Sequence, residues 1–334
     1  MTNRAALPTE FHFSSAFSRS AFRIAAVMMT VALALSAAPQ YANASTFVVN
    51  STADASGACT SGPGGCTLRE AIDAANAAPG DDVVLVPAGT YLLNFQLYIA
   101  SNVKLQGSGQ TSTIIDGQGI TRVLYILEGG GSPVYQVSIR DLTLRNGNSG
   151  AALGGGIWNG GTTTLERVSV ADNRANSQAG IANVFNGSLT VIDSLISNND
   201  AVGTGGAGGG ITSSGGNVAI INSTVTGNDA PSGLGGGLYI AGGSASIDRS
   251  LISNNHVLDR GGGLYFTAPI TVTNTTISGN SAQGTTSTSV PTDGGGGVLG
   301  SGSATFANVT IFNNSAPGTK TAGFHANPGG PYNI

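Results

Sequence analysis

The feature that most restricts what this chain can fold into is a repeat. Residues 237–257, GLYIAGGSASIDRSLISNNHV, and residues 263–282, GLYFTAPITVTNTTISGNSA, follow one template, and six copies lie between Gly156 and Ala316. Aligned on one asparagine, the copies place Asn173, Asn199, Asn228, Asn255, Asn280 and Asn314 in a column. Three residues earlier stand Val170, Ile196, Val225, Ile252, Ile277 and Ile311; eight earlier stand Leu165, Val191, Ile220, Ile247, Val272 and Phe306. Each copy opens on a glycine and an aliphatic residue 17–19 positions before its Asn, whereas the connection from that Asn to the next Gly varies from 7 to 17. A fixed unit with one variable connection is the pattern of stacked repeats.

Val, Ile and Thr dominate the unit, Gly and Asn punctuate it, and helical spacing is absent inside the copies, so each copy reads as short strands. We expect one strand after the Gly, a second ending seven residues before the Asn, and a third from five to two residues before it. Between the last two sit Arg167, Asp193, Asn222, Arg249, Asn274 and Asn308, the place for a sharp left-handed bend. Three strands per turn, stacked about 4.8 Å apart in register, make an all-β parallel β-helix. The Asn column then becomes a structural ladder of side-chain amides.

Upstream, Arg19 and Arg23 precede the apolar run 24–35, and Ala42-Asn43-Ala44 offers a small-residue cleavage site, so residues 1–44 read as a secretory signal peptide. That run is short for a membrane span, and no other candidate span follows it. Beyond the leader, 16 of the 17 acidic and 10 of the 13 basic residues remain, a net charge near −6 that excludes a basic nucleic-acid face. Export makes a disulfide between Cys59 and Cys66 the expectation. Thr67 and Glu70 form a capping box for a short helix with Leu68, Ile72 and Ala75 on one face, suited to covering an open coil end. Arg69 and Glu70 read as structural, and Asp81-Asp82 as part of the turn that follows.

Residues 66–91, CTLREAIDAANAAPGDDVVLVPAGTY, resemble the N-terminal segment of secreted bacterial proteins named for the motif Cys-Ser-Leu-Arg-Glu-Ala, with Thr67 in place of the Ser. NSTVTGN at 222–228 and NTTISGN at 274–280 resemble the right-handed parallel β-helix repeats of those proteins. They are also similar to repeats of polymorphic outer-membrane proteins and, more distantly, to the pectin-lyase-like superfamily. The resemblance implies a single-stranded right-handed coil, export to the bacterial surface or medium, and no particular reaction. It divides the chain into the leader (1–44), an N-terminal cap (45–100), the coil (101–316) and an irregular tail (317–334), where we expect the chain to be truncated.

Two columns carry the candidates for function. Directly after the repeated Asn come Arg174, Asp200, Asp229 and His256, then Ser281 and Ser315. In register, Asp200 and Asp229 lie one rung apart, close enough to share acid–base work or hold a cation. The sequence lacks the clustered motifs of the superfamily's hydrolases and the calcium nonapeptide, so no cofactor is implied; calcium stays open without a motif to indicate it. After each opening aliphatic residue an outward column runs Trp158, Ala182, Thr212, Tyr239, Tyr265 and Leu299. Its aromatics suit stacking on sugar rings. The favoured reading is therefore an exported, noncatalytic, monomeric surface protein that binds polysaccharide or a cell-surface glycan, adhesin-like, through Trp158, Tyr239 and Tyr265. The alternatives are a pectin-lyase-like polysaccharide lyase or glycoside hydrolase, and a structural surface coat.

Overall fold

A computed structural model describes residues 43–128, 134–203, 207–283, 294–317, 321–326 and 331–333. Residues 1–42, within the expected leader, and part of the expected tail lie outside them. From Thr46 onward the chain winds as a parallel β-solenoid in which every described strand pair is parallel and the rungs stack in register. One turn shows the unit. Leu238–Ile240 follows Gly237, Ala245–Asp248 ends seven residues before Asn255, and Leu251–Ser253 follows the bend. Copies of the first strand stack into a nine-stranded sheet, and copies of the other two into one of eighteen strands.

The structure adds a fourth, two-residue strand per turn. His256–Val257 and its equivalents Arg174–Ala175, Asp200–Ala201, Asp229–Ala230 and Ser281–Ala282 form a five-stranded sheet beyond the ladder. A two-residue strand has no alternation of its own, so only its position in the alignment marks it. Inside it, Ala175, Ala201, Ala230, Val257 and Ala282 form a small apolar column separate from the main core. The main core consists of the aliphatic columns, with Val170, Ile196, Val225, Ile252 and Ile277 wholly enclosed.

The bends explain the Gly and Asn content. All six residues at the expected bend have φ between +47° and +55°, Arg167 and Arg249 included. A second left-handed column lies one residue before the ladder, at Asp172, Asn198, Gly227, Asn254, Gly279 and Asn313. Asn and Asp occupy such angles with less penalty than other non-glycine residues, which accounts for their recurrence at both corners. The opening Gly answers a different need: a Cβ on Gly237 would stand 2.6 Å from the Gly263 carbonyl and 2.8 Å from Asn255 Nδ2.

Those asparagines form a continuous hydrogen-bonded ladder. Nδ2 of Asn173, Asn199, Asn228, Asn255 and Asn280 each donates to the next Oδ1 at 2.8–2.9 Å. Each of these Oδ1 atoms also accepts the preceding asparagine's backbone N–H, and Nδ2 donates to a carbonyl of the preceding rung, as from Asn228 to Ile196 at 3.0 Å. The sequence pattern missed two further ladders. Ser194, Ser223, Ser250 and Thr275 accept the backbone N–H of the preceding rung at 3.0–3.2 Å. Asn159, Asn183 and Ser213 continue side chain to side chain on the nine-stranded sheet.

At the N-terminal end the helix Leu68–Ala77 packs Leu68, Ala71, Ile72 and Ala75 against the first rungs. Thr67 accepts from the Glu70 backbone N–H at 3.2 Å and Glu70 Oε2 accepts from Thr67 N–H at 2.7 Å. Cys59 and Cys66 are bonded to each other. Asp82, placed by sequence in a turn, instead begins the strand Asp82–Leu85 and is fully buried.

Replacing Asn228, in the middle of the ladder, by Ala strands a buried backbone N–H on Asn199 and takes away one partner each from Asn199 Nδ2 and Asn255 Oδ1. We expect a loss on the order of 2–4 kcal/mol in urea unfolding, against under about 0.5 kcal/mol for the half-exposed Ser281→Ala.

Candidate functional site

The acid row is in register as the alignment placed it. Arg174 pairs with Asp200, Asp200 with Asp229, Asp229 with His256 and His256 with Ser281 across adjacent strands. Direct side-chain contact joins only two of the four: His256 Nδ1 lies 2.8 Å from Asp229 Oδ1. The other ring nitrogen faces Gln283 Nε2 at 3.3 Å. Arg174 is exposed and makes no ion pair with Asp200 among the described residues. Burial pushes the Asp200 carboxyl above its ordinary range, the Asp229 charge pushes it further, and Arg174 partly opposes both. The row is thus a His–Asp pair with a carboxyl of raised pKa beside it, open to solvent on one side. Among the described residues no group of three His, Cys, Asp or Glu side chains is placed to hold a metal ion.

The aromatic row differs from expectation in exposure. Its side chains leave the coil as strand alternation requires, but most are then covered. Trp158 is only 9% exposed and Tyr265 8%, while Tyr239 is half-buried. Trp158 is enclosed by Val184, Leu153 and the edge of Phe185, with ring centroids 5.6 Å apart. Tyr239 and Tyr265 cover each other at 5.3 Å. Leu153, from the connection before Gly156, supplies part of the cover over Trp158, and Val184 and Phe185 follow the first strand of the next turn.

The accessible part of the row is one that the repeat did not reveal. Two earlier rungs extend it, Tyr98 pairing with Tyr125 and Tyr125 with Trp158. Tyr125 and Trp158 are stacked at 4.2 Å with planes 6° apart, and Tyr98 leans on Tyr125 at 5.5 Å. Tyr98 is 47% exposed at the end of this stack and borders a cleft of about 560 Å³ with Phe95, Gln96, Arg69 and Thr121. A second cleft of about 350 Å³ shares Gln96 and Thr121 with the first and is lined by Arg122 and Ile120.

The two arginines are handled differently. Arg69, expected to be structural, makes a bidentate pair with Asp54 at 2.7 and 3.0 Å and donates to the Phe95 and Gln96 carbonyls, so it fixes the loop that carries Phe95. Arg122 is enclosed but meets only neutral acceptors. Nε and Nη2 donate to the Leu153 carbonyl at 3.1 and 2.6 Å, Nε also reaches Gly154 O, and Nη1 donates to Gln96 Oε1 at 2.7 Å. Its guanidinium lies 5.1 Å from the centroid of Tyr125, and burial lowers its pKa from the ordinary value. Of its five N–H donors these bonds engage three. A third cleft, about 660 Å³, lies along the eighteen-stranded sheet and is lined by uncharged residues such as Thr190, Ser246, Thr271 and Thr305.

The family model for the right-handed β-helix region matches residues 156–333, more than half of the chain, and the chain belongs to that family. No curated protein matches it. Among solved structures it is similar to the A-module of Azotobacter vinelandii mannuronan C-5 epimerase AlgE6, with 21% identity over 75% of this chain and 73% of that one, and a TM-score of 0.43. It is also similar to pectin methylesterase PemA from Erwinia chrysanthemi, with 15% identity over 86% and 81% of the two chains and a TM-score of 0.39.

Asp200 gives a pH-dependent outcome. Its raised folded-state pKa adds stability below the ordinary carboxylate value of about 3.9, and that stability is lost as pH rises through the raised value. Asp200→Asn, neutral throughout, is therefore expected to melt above the parent at pH 7 and together with it at pH 3 in paired thermal scans.

Proposed function

We propose that the protein is exported and binds polysaccharide without cleaving it, using the N-terminal end of its aromatic row. The observation that carries this reading is Tyr98, exposed at the end of the Tyr125–Trp158 stack and flanked by Phe95, which is 72% exposed. Rings fixed by stacking lose little freedom when a sugar's C–H face lies against them. Arg122 supports a glycan that bears carboxylate or sulfate, because its enclosed charge meets no carboxylate among the described residues. The leader, the Cys59–Cys66 bond and the resemblance to secreted Cys-Ser-Leu-Arg-Glu-Ala proteins support export to the bacterial surface or medium. Among the described residues no helix is long and apolar enough to cross a membrane. A second reading, a lyase or hydrolase, rests on the His256–Asp229 contact beside Asp200.

Affinity electrophoresis against matched polymers separates these. Dextran, carboxymethyl-dextran and dextran sulfate share one backbone, as do hydroxyethyl- and carboxymethyl-cellulose. Tyr98→Ala is expected to weaken binding about three- to tenfold, Tyr239→Ala to leave it nearly unchanged, and Arg122→Gln to remove the preference for charged members. Cleavage of any of these polymers that is lost in Asp229→Ala would establish the second reading instead.

A further inference from the structure

The first rung contains a buried charge with half of its hydrogen bonding unmade. Asp82 is 0% exposed, its Oδ1 accepts the Ser45 backbone N–H at 2.6 Å, and its Oδ2 has no partner. Among the described residues no Lys, Arg or His makes an ion pair with it. A buried carboxylate held by one amide is strongly disfavoured unless a cation reaches it. The nearest charged neighbours in the sheet point elsewhere: Asp81 Oδ1 accepts from Asn102 Nδ2, and Lys104 follows one rung on, beside Val83.

Ser45 itself is firmly held. Its carbonyl accepts the Val83 N–H at 2.8 Å, and the strand Thr46–Val48 pairs with Val83–Leu85 in register. Asn43 and Ala44, immediately before it, are exposed and outside the strand. The small-residue site Ala42-Asn43-Ala44 therefore ends where the fold begins, with the scissile Ala44–Ser45 amide directly against Asp82.

We infer that the mature protein begins at Ser45 and that Asp82 is the built counter-ion of its new amino terminus. The inference rests on the export reading. A signal peptidase adds water across the Ala44–Ser45 amide, leaving a carboxylate on Ala44 of the released leader and an amine on Ser45 that takes up the proton. One N–H donor becomes an ammonium with three, positioned to satisfy both oxygens of Asp82. Removal of the leader thus completes the first rung, and the coil is more stable processed than unprocessed.

The test uses the whole chain exported from a bacterial host and the leader-bearing chain purified from the same cells. N-terminal sequencing of the exported protein is expected to begin at Ser45. Asp82→Asn is expected to lower the Tm of the processed protein by about 5 °C or more and to leave the leader-bearing chain unchanged or higher. The Ser45 amine should titrate above the free-terminus range of about 7.7–8.0 when followed by the pH dependence of amine acylation, and return to it in Asp82→Asn. An exported protein that begins elsewhere, or an Asp82→Asn change that affects both forms alike, overturns the inference and leaves export intact. Retention of the full leader in the cytoplasm removes the export reading, and this inference with it.

Discussion

The coil depends on in-register stacking of buried asparagines. An amide in an apolar interior is destabilising unless both its donors and its acceptor are engaged. Here each central Asn is satisfied by its neighbours alone: Nδ2 by the next Oδ1 and a backbone carbonyl, Oδ1 by a side chain and a backbone N–H. A slip of one residue between rungs would leave these groups unpaired on every turn at once. Side-chain alternation alone fixes register only to within two residues, whereas the ladder fixes it to one. The tight corners at +47° to +55° are tolerated because the groups on either side of them are locked in this way.

Locked register turns the solenoid into a ruler. Residues at equal offset from the ladder lie side by side whatever happens in the connections, which vary from 7 to 17 residues. That is why Arg174, Asp200, Asp229 and His256 form a row although the intervening loops share no length. It also divides the surface chemically. The row beside the ladder carries charge, the eighteen-stranded sheet presents hydroxyls, and the nine-stranded sheet carries the aromatics.

What could be read from sequence follows from the same division. Columns, bends, ladder and acid row depend on offset alone, so one alignment held them all. Exposure depends on which neighbours close over the row, and there the reading failed: Trp158 and Tyr265 point out of the coil and are nevertheless covered. Tyr98 and Tyr125 escaped because their rungs lack the marker residue, Gly147 standing where the first ladder Asn would be and donating its backbone N–H to Asn173 Oδ1. Arg122 was invisible for another reason. Its acceptors lie about thirty residues later in chain, at Leu153 and Gly154, and about thirty earlier, at Gln96.

The departures from the template gather at one end, and that bears on function. Across the central rungs the ladder groups all answer to a neighbour, Gln178 Oε1 being the one buried side-chain atom there without a partner among the described residues, which leaves little unfilled capacity for a ligand. In the first rungs the template relaxes: a helix covers the core, Arg69 and Asp54 pin a loop, and Arg122 is enclosed without a carboxylate. The same end holds the exposed Phe95, Tyr98 and Ile120. A repeat protein keeps its regular turns for cohesion and can hold unsatisfied chemistry only where regularity stops. The irregular side of this structure is therefore its beginning, and the proposed glycan recognition is sought there.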